Sequence, residues 1–156
     1  MRLHLLAVGR ARGGPEATLA EDWLARFDRT GRPLGLGPAR LTEVEDKRGR
    51  GPEAEADLLL AALPEGAALI ALDERGRTMT SPDFAARLAR WRDEGRRDCA
   101  LALGGADGHG EALRARADLT LSFGPMVWPH MLARAMAAEQ LYRAASILAG
   151  APYHRA

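Results

Sequence analysis

Residues 101–110 read LALGGADGHG, an apolar run that passes directly into a cluster of glycines. Such a run is typical of a buried strand that ends in a tight turn, where glycine accepts a positive φ. Glycines at a strand end also let a flat ligand lie against main-chain N–H and C=O groups. Both interpretations stay open, and the spacing does not fit the G-x-G-x-x-G dinucleotide fingerprint. We predict a buried strand over 99–103, with Gly104 and Gly105 at its end.

Apolar runs and helical patterns alternate on both sides of this segment. The strand candidates are 3–8, 39–44, 67–72, 99–103 and 118–123. The helix candidates are 15–29, 52–63, 81–95, 110–117 and 129–149. This alternation predicts an α/β fold, with a mainly parallel sheet and helices on both faces. Ligands bind beyond the carboxyl ends of strands in such sheets, which is where 73–80, 104–110 and 124–128 lie.

The composition favours one domain, over 1–156. The chain has 156 residues, of which 47% are hydrophobic, and a net charge of +1. No apolar run approaches the roughly 20 residues of a membrane span, and Met1 leads into a strand without a leader, so we expect a cytoplasmic protein without a membrane partner. The single cysteine, Cys99, lies in an apolar run and is expected to be an inert core thiol. No residues have metal-ligand spacing.

The helix predicted over 129–149 is apolar nearly all round, which indicates that it is buried nearly all round. In a chain this short we expect a second subunit to cover it, and we predict a homodimer. Glu139 and Arg143 are four residues apart and can form an ion pair.

Two basic segments have the chemistry of RNA contacts. Tyr153, His154 and Arg155 can stack on a base and bind a phosphate, although a frayed terminus is the ordinary expectation at this position. DKRGRG, residues 46–51, is suited to phosphate contacts or to an ordinary solvated turn.

Five motifs carry a resemblance that runs the length of the chain: LDERGRTMTSPDFAARLARW (72–91), LALGGADGHG, the P-H-x-L-x-R pattern from Pro129, EQLYRA (139–144) and the terminal PYHR. Together they closely resemble the small bacterial methyltransferases that modify a pseudouridine of large-subunit ribosomal RNA at N3. The resemblance implies the SPOUT class, with a C-terminal trefoil knot, S-adenosylmethionine bound in the knot and an obligate dimer. A knot is a feature that general topology rules would not predict.

The resemblance also implies roles for individual residues. The cofactor would contact Leu72, Gly104, Phe123, Gly124, Pro125, Met126, Val127 and Trp128. The substrate-side positions are His130, Glu139, Arg143, Tyr153, His154 and Arg155, and the tail would complete the partner subunit's pocket. Lys47, Arg48 and Gly49 match the family's basic loop, whereas the role of the loop over 10–16 stays open. FGPMVW (123–128) departs from the Ser and Thr that relatives usually carry there.

We therefore predict transfer of a methyl group from S-adenosylmethionine to N3 of a pseudouridine in a 23S ribosomal RNA hairpin loop, on the assembled ribosome. Glu139 or His130 would accept the N3 proton, and Arg143 would bind phosphate or offset developing charge. Two alternatives stay open. One is a related SPOUT transfer RNA methyltransferase, and the other is a non-catalytic ribosome-binding factor with the same fold.

Overall fold

The computed structural model describes residues 1–155; Ala156, the last residue of the predicted domain, lies outside this range. The strands are β1 (Arg2–Val8), β2 (Ala39–Val44), β3 (Ala68–Arg77), β4 (Asp98–Leu103) and β5 (Leu119–Leu121). The helices are α1 (Pro15–Gly31), α2 (Pro52–Ala62), α3 (Ser81–Asp93), α4 (Glu111–Arg116) and α5 (His130–Leu148), with a 3-10 turn over Arg32–Leu34. All strand pairs are parallel, in the order β2-β1-β4-β3-β5.

Helices cover both faces of this sheet, so the predicted fold class is confirmed. α1, α3 and α5 pack on one face, around Phe27, Leu88, Leu101 and Leu141. α2 and α4 pack on the other face, around Leu59 and Leu113. Because every strand points the same way, the loops after all five strands leave the sheet at one edge, which we call the carboxyl edge.

The end of β3 differs from the prediction. We expected the strand to stop at residue 72, but Leu121 of β5 pairs first with Leu72 and again with Arg77, so β3 continues to Arg77 around an irregular segment. Gly76 lies in that segment, directly against the β5 main chain. Two contacts follow: the Ser122 N–H donates to the Arg77 carbonyl at 3.0 Å, and the Ser122 hydroxyl donates to the Glu74 carbonyl at 3.1 Å. The trefoil knot stays a prediction.

The sequence Ser81-Pro82-Asp83 predicts Ser81 as the N-cap of α3, but Ser81 is the first helical residue and the N-cap is Thr80. The Thr80 Oγ1 accepts the Asp83 N–H at 3.2 Å, and the Ser81 hydroxyl donates to Gln140 Oε1 at 2.9 Å. Ser81 therefore ties α3 to α5, while Thr80 satisfies an otherwise unpaired donor at the helix start.

α5 is buried along part of its surface by its own chain, with eight of its 19 residues fully buried. α1 and α3 both pack along α5 and cover its small side chains. The buried residues of α5 are Arg134, Ala135, Ala137, Ala138, Leu141, Ala144, Ala145 and Ser146. The other residues of α5 are partly or fully exposed in the single chain, and the homodimer stays a prediction.

At the opposite, amino edge of the sheet, a buried carboxylate ties β1 to β4. Asp98 accepts two hydrogen bonds from the Arg2 guanidinium, both at 2.7 Å, and His4 Nε2 lies 2.7 Å from the same carboxylate. The hydrogen bonds from Arg2 lower the pKa of Asp98 below its ordinary value. Cys99 follows in β4 and is fully buried, and burial raises the pKa of its thiol. The expected inert core thiol is confirmed.

No helix within residues 1–155 has the length and hydrophobicity to cross a membrane.

Candidate active site

A cleft of about 360 Å³ opens at the carboxyl edge, where β3, β4 and β5 end. Its volume lies within the range of small-molecule binding sites. Its walls include seven of the eight predicted cofactor residues and one predicted substrate-side residue: Leu72, Gly104, Phe123, Gly124, Met126, Val127, Trp128 and His130. Pro125 is exposed and does not line the cleft. We call this the glycine cleft.

Packing within the chain accounts for the glycines. A Cβ on Gly104 would lie 2.8 Å from the Gly108 carbonyl oxygen, and one on Gly105 would lie 2.8 Å from the Glu55 carboxylate. Gly108 has a φ of +79°, which disfavours other residues. The tight turn is therefore a sufficient reason for the missing side chains. Main-chain contact with a ligand stays a prediction, since Gly104, Gly105 and Gly108 all line the cleft.

His109 is a buried polar residue that the sequence analysis did not select. Its side chain is 4% exposed, and its Nε2 lies 3.1 Å from the Ala102 carbonyl, to which it can only donate. Its Nδ1 accepts no hydrogen bond from any group in residues 1–155 and lies 3.2 Å from the position of a Gly104 Cβ. Burial lowers the pKa of His109, which keeps the imidazole neutral at pH 7. The sequence feature that could have pointed to His109 is its place between two glycines that follow a fully buried strand.

Asp73 is a second residue that was not selected. It is buried in β3, directly after Leu72, and accepts two hydrogen bonds from the Arg75 side chain, each at 2.9 Å. These hydrogen bonds lower the pKa of Asp73, so that it is a carboxylate at neutral pH. Asp73 and Arg75 therefore place an ion pair on the wall of the glycine cleft.

Apolar side chains are exposed beside the cleft. Met126 is 69% exposed, Val127 is 86% exposed and Trp128 is 40% exposed. His130, the first residue of α5, is also exposed. A run of three large apolar residues in water indicates a surface that a ligand or partner covers.

A larger cavity of about 530 Å³ adjoins the glycine cleft. It lies between α1, α5 and the segment that joins β3 to α3, and its lining includes Trp23, Thr78, Met136 and Glu139. Phe123 and Gly124 line both cavities. The predicted catalytic residues are therefore divided: His130 lines the glycine cleft, Glu139 lines the larger cavity and Arg143 lines neither.

Glu139 is the centre of a hydrogen-bond network on α5. Its Oε1 accepts from Arg143 Nε at 2.9 Å, from Arg143 Nη2 at 2.6 Å and from the Tyr153 hydroxyl at 2.8 Å. Its Oε2 accepts from Gln140 at 2.8 Å. The remaining Arg143 nitrogen, Nη1, lies 3.4 Å from His154 Nδ1. Burial and the bond to Glu139 raise the pKa of Tyr153 to about 12, so the phenol stays protonated at neutral pH.

The tail lies against its own α5 and α1 in this structure. The rings of Trp23, Tyr142 and Tyr153 are packed together, with centroids 4.7–5.8 Å apart. The Arg143 guanidinium lies over the Tyr153 ring, at 4.7 Å from its centroid. The contact of the tail with a partner subunit stays a prediction.

The remaining predicted RNA-binding residues are exposed and separate from both cavities. Arg155 is exposed at the end of the described tail. Lys47 and Arg48 are exposed after β2, and the Asp46 carboxylate accepts hydrogen bonds from the main-chain N–H groups of Arg48 and Arg50, which shapes this turn.

No group of three His, Cys, Asp or Glu side chains in residues 1–155 has an arrangement that would hold a metal ion.

Comparison with known proteins gives a family and close relatives. A family model described as "Predicted SPOUT methyltransferase" matches residues 1–154. A protein of Cereibacter sphaeroides named "Ribosomal RNA large subunit methyltransferase H" is 68% identical over 155 residues, which is 99% of each chain. A protein of the same name from Ruegeria pomeroyi is 66% identical over 155 residues, again 99% of each chain.

Solved structures support the fold. A probable methylase family protein from Haemophilus influenzae Rd KW20 matches 99% of this chain and 70% of its own, with a TM-score of 0.55 and 11% identity. A probable methyltransferase from Bordetella pertussis Tohama I matches 92% of this chain and 95% of its own, with a TM-score of 0.50 and 19% identity. At these identities the likeness concerns the fold alone.

Proposed function

This chain belongs to the SPOUT methyltransferase family, and we propose that it methylates N3 of a pseudouridine in 23S ribosomal RNA, with S-adenosylmethionine as the methyl donor. The observation that carries the proposal is the full-length likeness to proteins named ribosomal RNA large subunit methyltransferases. A hairpin loop of the assembled ribosome is the proposed substrate, in the cytoplasm. A protein this small has little surface for reading sequence, so the folded ribosome would help to select the target.

The glycine cleft fits the methyl donor. Main-chain groups of Gly104, Gly105 and Gly108 face a space bordered by apolar side chains, which suits a flat adenosine and a methionine chain. When bound, the donor supplies an electrophilic methyl group on a sulfonium. Orientation of donor and nucleophile is a large source of rate in such a site, since aligned pairs reach effective molarities of about 10⁵ M or more.

His130 is the better placed of the two candidate proton acceptors. The N3 proton must leave for nitrogen to form the new bond, and a positioned base contributes roughly 10²–10⁴ in rate. His130 lines the glycine cleft and is exposed to an incoming base. Glu139 lines the neighbouring cavity, and its Oε1 is already shared by two residues. We therefore assign proton removal to His130.

Glu139 and Arg143 are then positioning residues for the tail. The carboxylate of Glu139 holds the Tyr153 hydroxyl, and the guanidinium of Arg143 stacks on the Tyr153 ring. His154 is held beside Arg143, and Arg155 extends into solvent. Tyr153 and His154 would stack on or hydrogen-bond to the RNA base, and Arg155, with Lys47 and Arg48, would bind phosphates.

A homodimer is part of the proposal. The exposed residues Met126, Val127 and Trp128 give each subunit an apolar surface beside its cleft. We propose that the partner covers this surface and that its tail reaches the cleft. The proposed active unit is a dimer in which each tail completes the site of the other subunit.

Methyl transfer to ribosomes tests the reaction. The purified protein would be incubated with radiolabelled S-adenosylmethionine and ribosomes from cells that lack the gene, and the RNA digested for mass spectrometry. We expect label in N3-methylpseudouridine of the large-subunit RNA. Label in transfer RNA would instead support the related transfer RNA enzyme. Saturable heat on titration with S-adenosylmethionine is expected from either enzyme, whereas its absence would indicate a non-catalytic ribosome-binding factor.

A further inference from the structure

The loops after β1 and β2 lie side by side at the carboxyl edge. β1 and β2 are paired in parallel up to Val8 and Val44. The loop after β1, residues 9–14, carries Arg10 and Arg12, and the loop after β2 carries Lys47 and Arg48. The sequence left the first of these loops without a role.

A buried arginine of α5 holds the first loop in place. Arg134 is 3% exposed, and its Nη2 donates to the carbonyl oxygens of Val8 and Gly9, the latter at 2.7 Å. Its Nη1 donates to Glu43 Oε1 at 2.8 Å, and the same oxygen accepts the Ala11 N–H at 2.7 Å. The main chain from Val8 to Ala11 is thus fixed at three points.

These contacts decide where the loop side chains point. Burying a guanidinium is costly unless it is paired and hydrogen-bonded, and Arg134 meets both conditions only through Glu43 and the loop main chain. With its main chain turned toward Arg134, the loop has Arg10 and Arg12 exposed. Arg10 meets only a distant carboxylate, that of Glu45 at 3.8 Å.

The resulting charge at this edge is largely uncompensated. Within residues 1–155, no carboxylate lies within ion-pair distance of Arg12, Lys47 or Arg48. Asp46 is occupied by Arg50, and Glu43 by Arg134. The edge therefore offers several free cations on two loops whose main chains are fixed by hydrogen bonds.

We propose that Arg10 and Arg12 extend the Lys47–Arg48 loop into one phosphate-binding surface for ribosomal RNA, and that Arg134 and Glu43 position it. This inference rests on the proposed function, since it assigns the surface to the same substrate. Arg134 and His130 lie one turn apart on α5, so this surface is joined to the glycine cleft through one helix. Backbone contacts there would set how the RNA lies while the target base reaches the cleft.

The variant R10A/R12A tests the surface. We expect the KM for ribosomes to rise about tenfold, with kcat and the affinity for S-adenosylmethionine unchanged, because only phosphate contacts are lost. The slope of log KM against log salt should fall by about 1–2 for two lost phosphate contacts. The matched control is R96A/R97A, which removes the same charge from exposed residues at the amino edge of the sheet.

The variant R134M tests the positioning role. Like R10A/R12A, it should raise the KM for ribosomes and reduce the slope of log KM against log salt. The triple variant R10A/R12A/R134M should have nearly the same KM as R10A/R12A, because both changes disrupt the same surface. R134K should recover only part of the loss, since one ammonium cannot reach the three acceptors together. Deuterium uptake at residues 9–12 should increase in R134M. If R134M does not fold, E43Q tests the same link.

The outcomes separate this inference from the function on which it rests. If the unmodified protein does not methylate ribosomes, the proposed function fails. If it methylates them and R10A/R12A has the same KM and salt slope as R96A/R97A, the phosphate-binding surface is wrong. If R10A/R12A is impaired and R134M is not, the positioning role is wrong.

Discussion

Gly76 has no room for a side chain. A Cβ at this position would lie 2.7–2.8 Å from main-chain atoms of Thr120 and Leu121, which cannot move aside as a flexible side chain can. We expect G76A to lower the free energy of unfolding by about 1–3 kcal/mol through overpacking, as measured by urea denaturation.

Gly95 provides the control for G76A. It has a φ of +82° and nothing within 4 Å of a Cβ, so G95A reports the cost of conformation without collision. That cost is about 1 kcal/mol. If G76A leaves the free energy of unfolding unchanged, the close contact between β3 and β5 does not exist in solution.

His109 makes the stability of the fold depend on pH. Burial lowers its pKa, so the unfolded chain binds a proton at a pH where the folded chain does not. The contribution of neutral His109 to the free energy of unfolding is fully present above about pH 6.5, the pKa of histidine in an unfolded chain. This contribution is lost as the pH falls toward the lower pKa of His109 in the folded chain. Between pH 7.5 and 5.5 we expect the wild type to lose more free energy of unfolding than H109Q, by at most about 1.4 kcal/mol for an unfolded pKa of about 6.5, measured by urea denaturation at each pH.

The comparison of H109Q with the wild type shows whether His109 carries the pH dependence. An equal loss in wild type and H109Q would mean that another group carries the pH dependence.

At the scale of elements, local patterns predicted most of the fold. The β2 candidate, 39–44, matches the observed strand, and each other strand and helix exists where its pattern placed it. The misses came from tertiary contacts. β3 is extended by its second pairing with Leu121, and Ser81 loses the N-cap to Thr80 because its hydroxyl bonds to Gln140.

The same limit applies to α5. Its apolar circumference predicted burial nearly all round, but only eight of its 19 residues are fully buried in the single chain. Periodicity does not say which element covers a face. α1 and α3 cover part of α5, and polar residues on α5 have partners far away in sequence, such as Arg134 with Gly9.

One of the contacts that hold the tail against α5 is the hydrogen bond from the Tyr153 hydroxyl to Glu139. Y153F would remove the hydrogen bond to Glu139, worth about 1 kcal/mol, and keep the ring in its aromatic cluster. We expect deuterium uptake of residues 151–155 to rise about fivefold, which is that energy expressed as a ratio. Y142F is the control, since the Tyr142 ring lies in the same cluster. Equal uptake in Y153F and wild type would place the tail elsewhere in solution.

At the scale of the whole molecule, sequence motifs located the cleft better than they located roles within it. Seven predicted cofactor residues lie around one space because parallel strands bring their ends to one edge. The motifs did not separate His130 from Glu139, because their division between two cavities depends on how α5 crosses the sheet. Asp73 and His109 were missed because a buried polar residue has no periodic signal.

The final prediction concerns which subunit's tail serves a given cleft. Neither a variant that lacks residues 152–156 nor H130A is expected to methylate ribosomes alone. In a mixed dimer, the shortened subunit keeps an intact cleft, and the H130A subunit keeps an intact tail. If the tail acts across the dimer, mixing and re-equilibrating the two proteins restores one complete site in each mixed dimer, or about a quarter of wild-type activity at equal ratio.

If each tail serves its own cleft, as its contacts with Glu139 and Arg143 in the single chain would allow, no mixed dimer has a complete site and the activity stays at zero. Titration with S-adenosylmethionine is the control, because the shortened protein keeps every residue of the glycine cleft and should bind the donor with nearly wild-type affinity. Donor binding is measured without RNA. If the shortened protein loses donor binding as well as methylation, the tail forms part of the cofactor site.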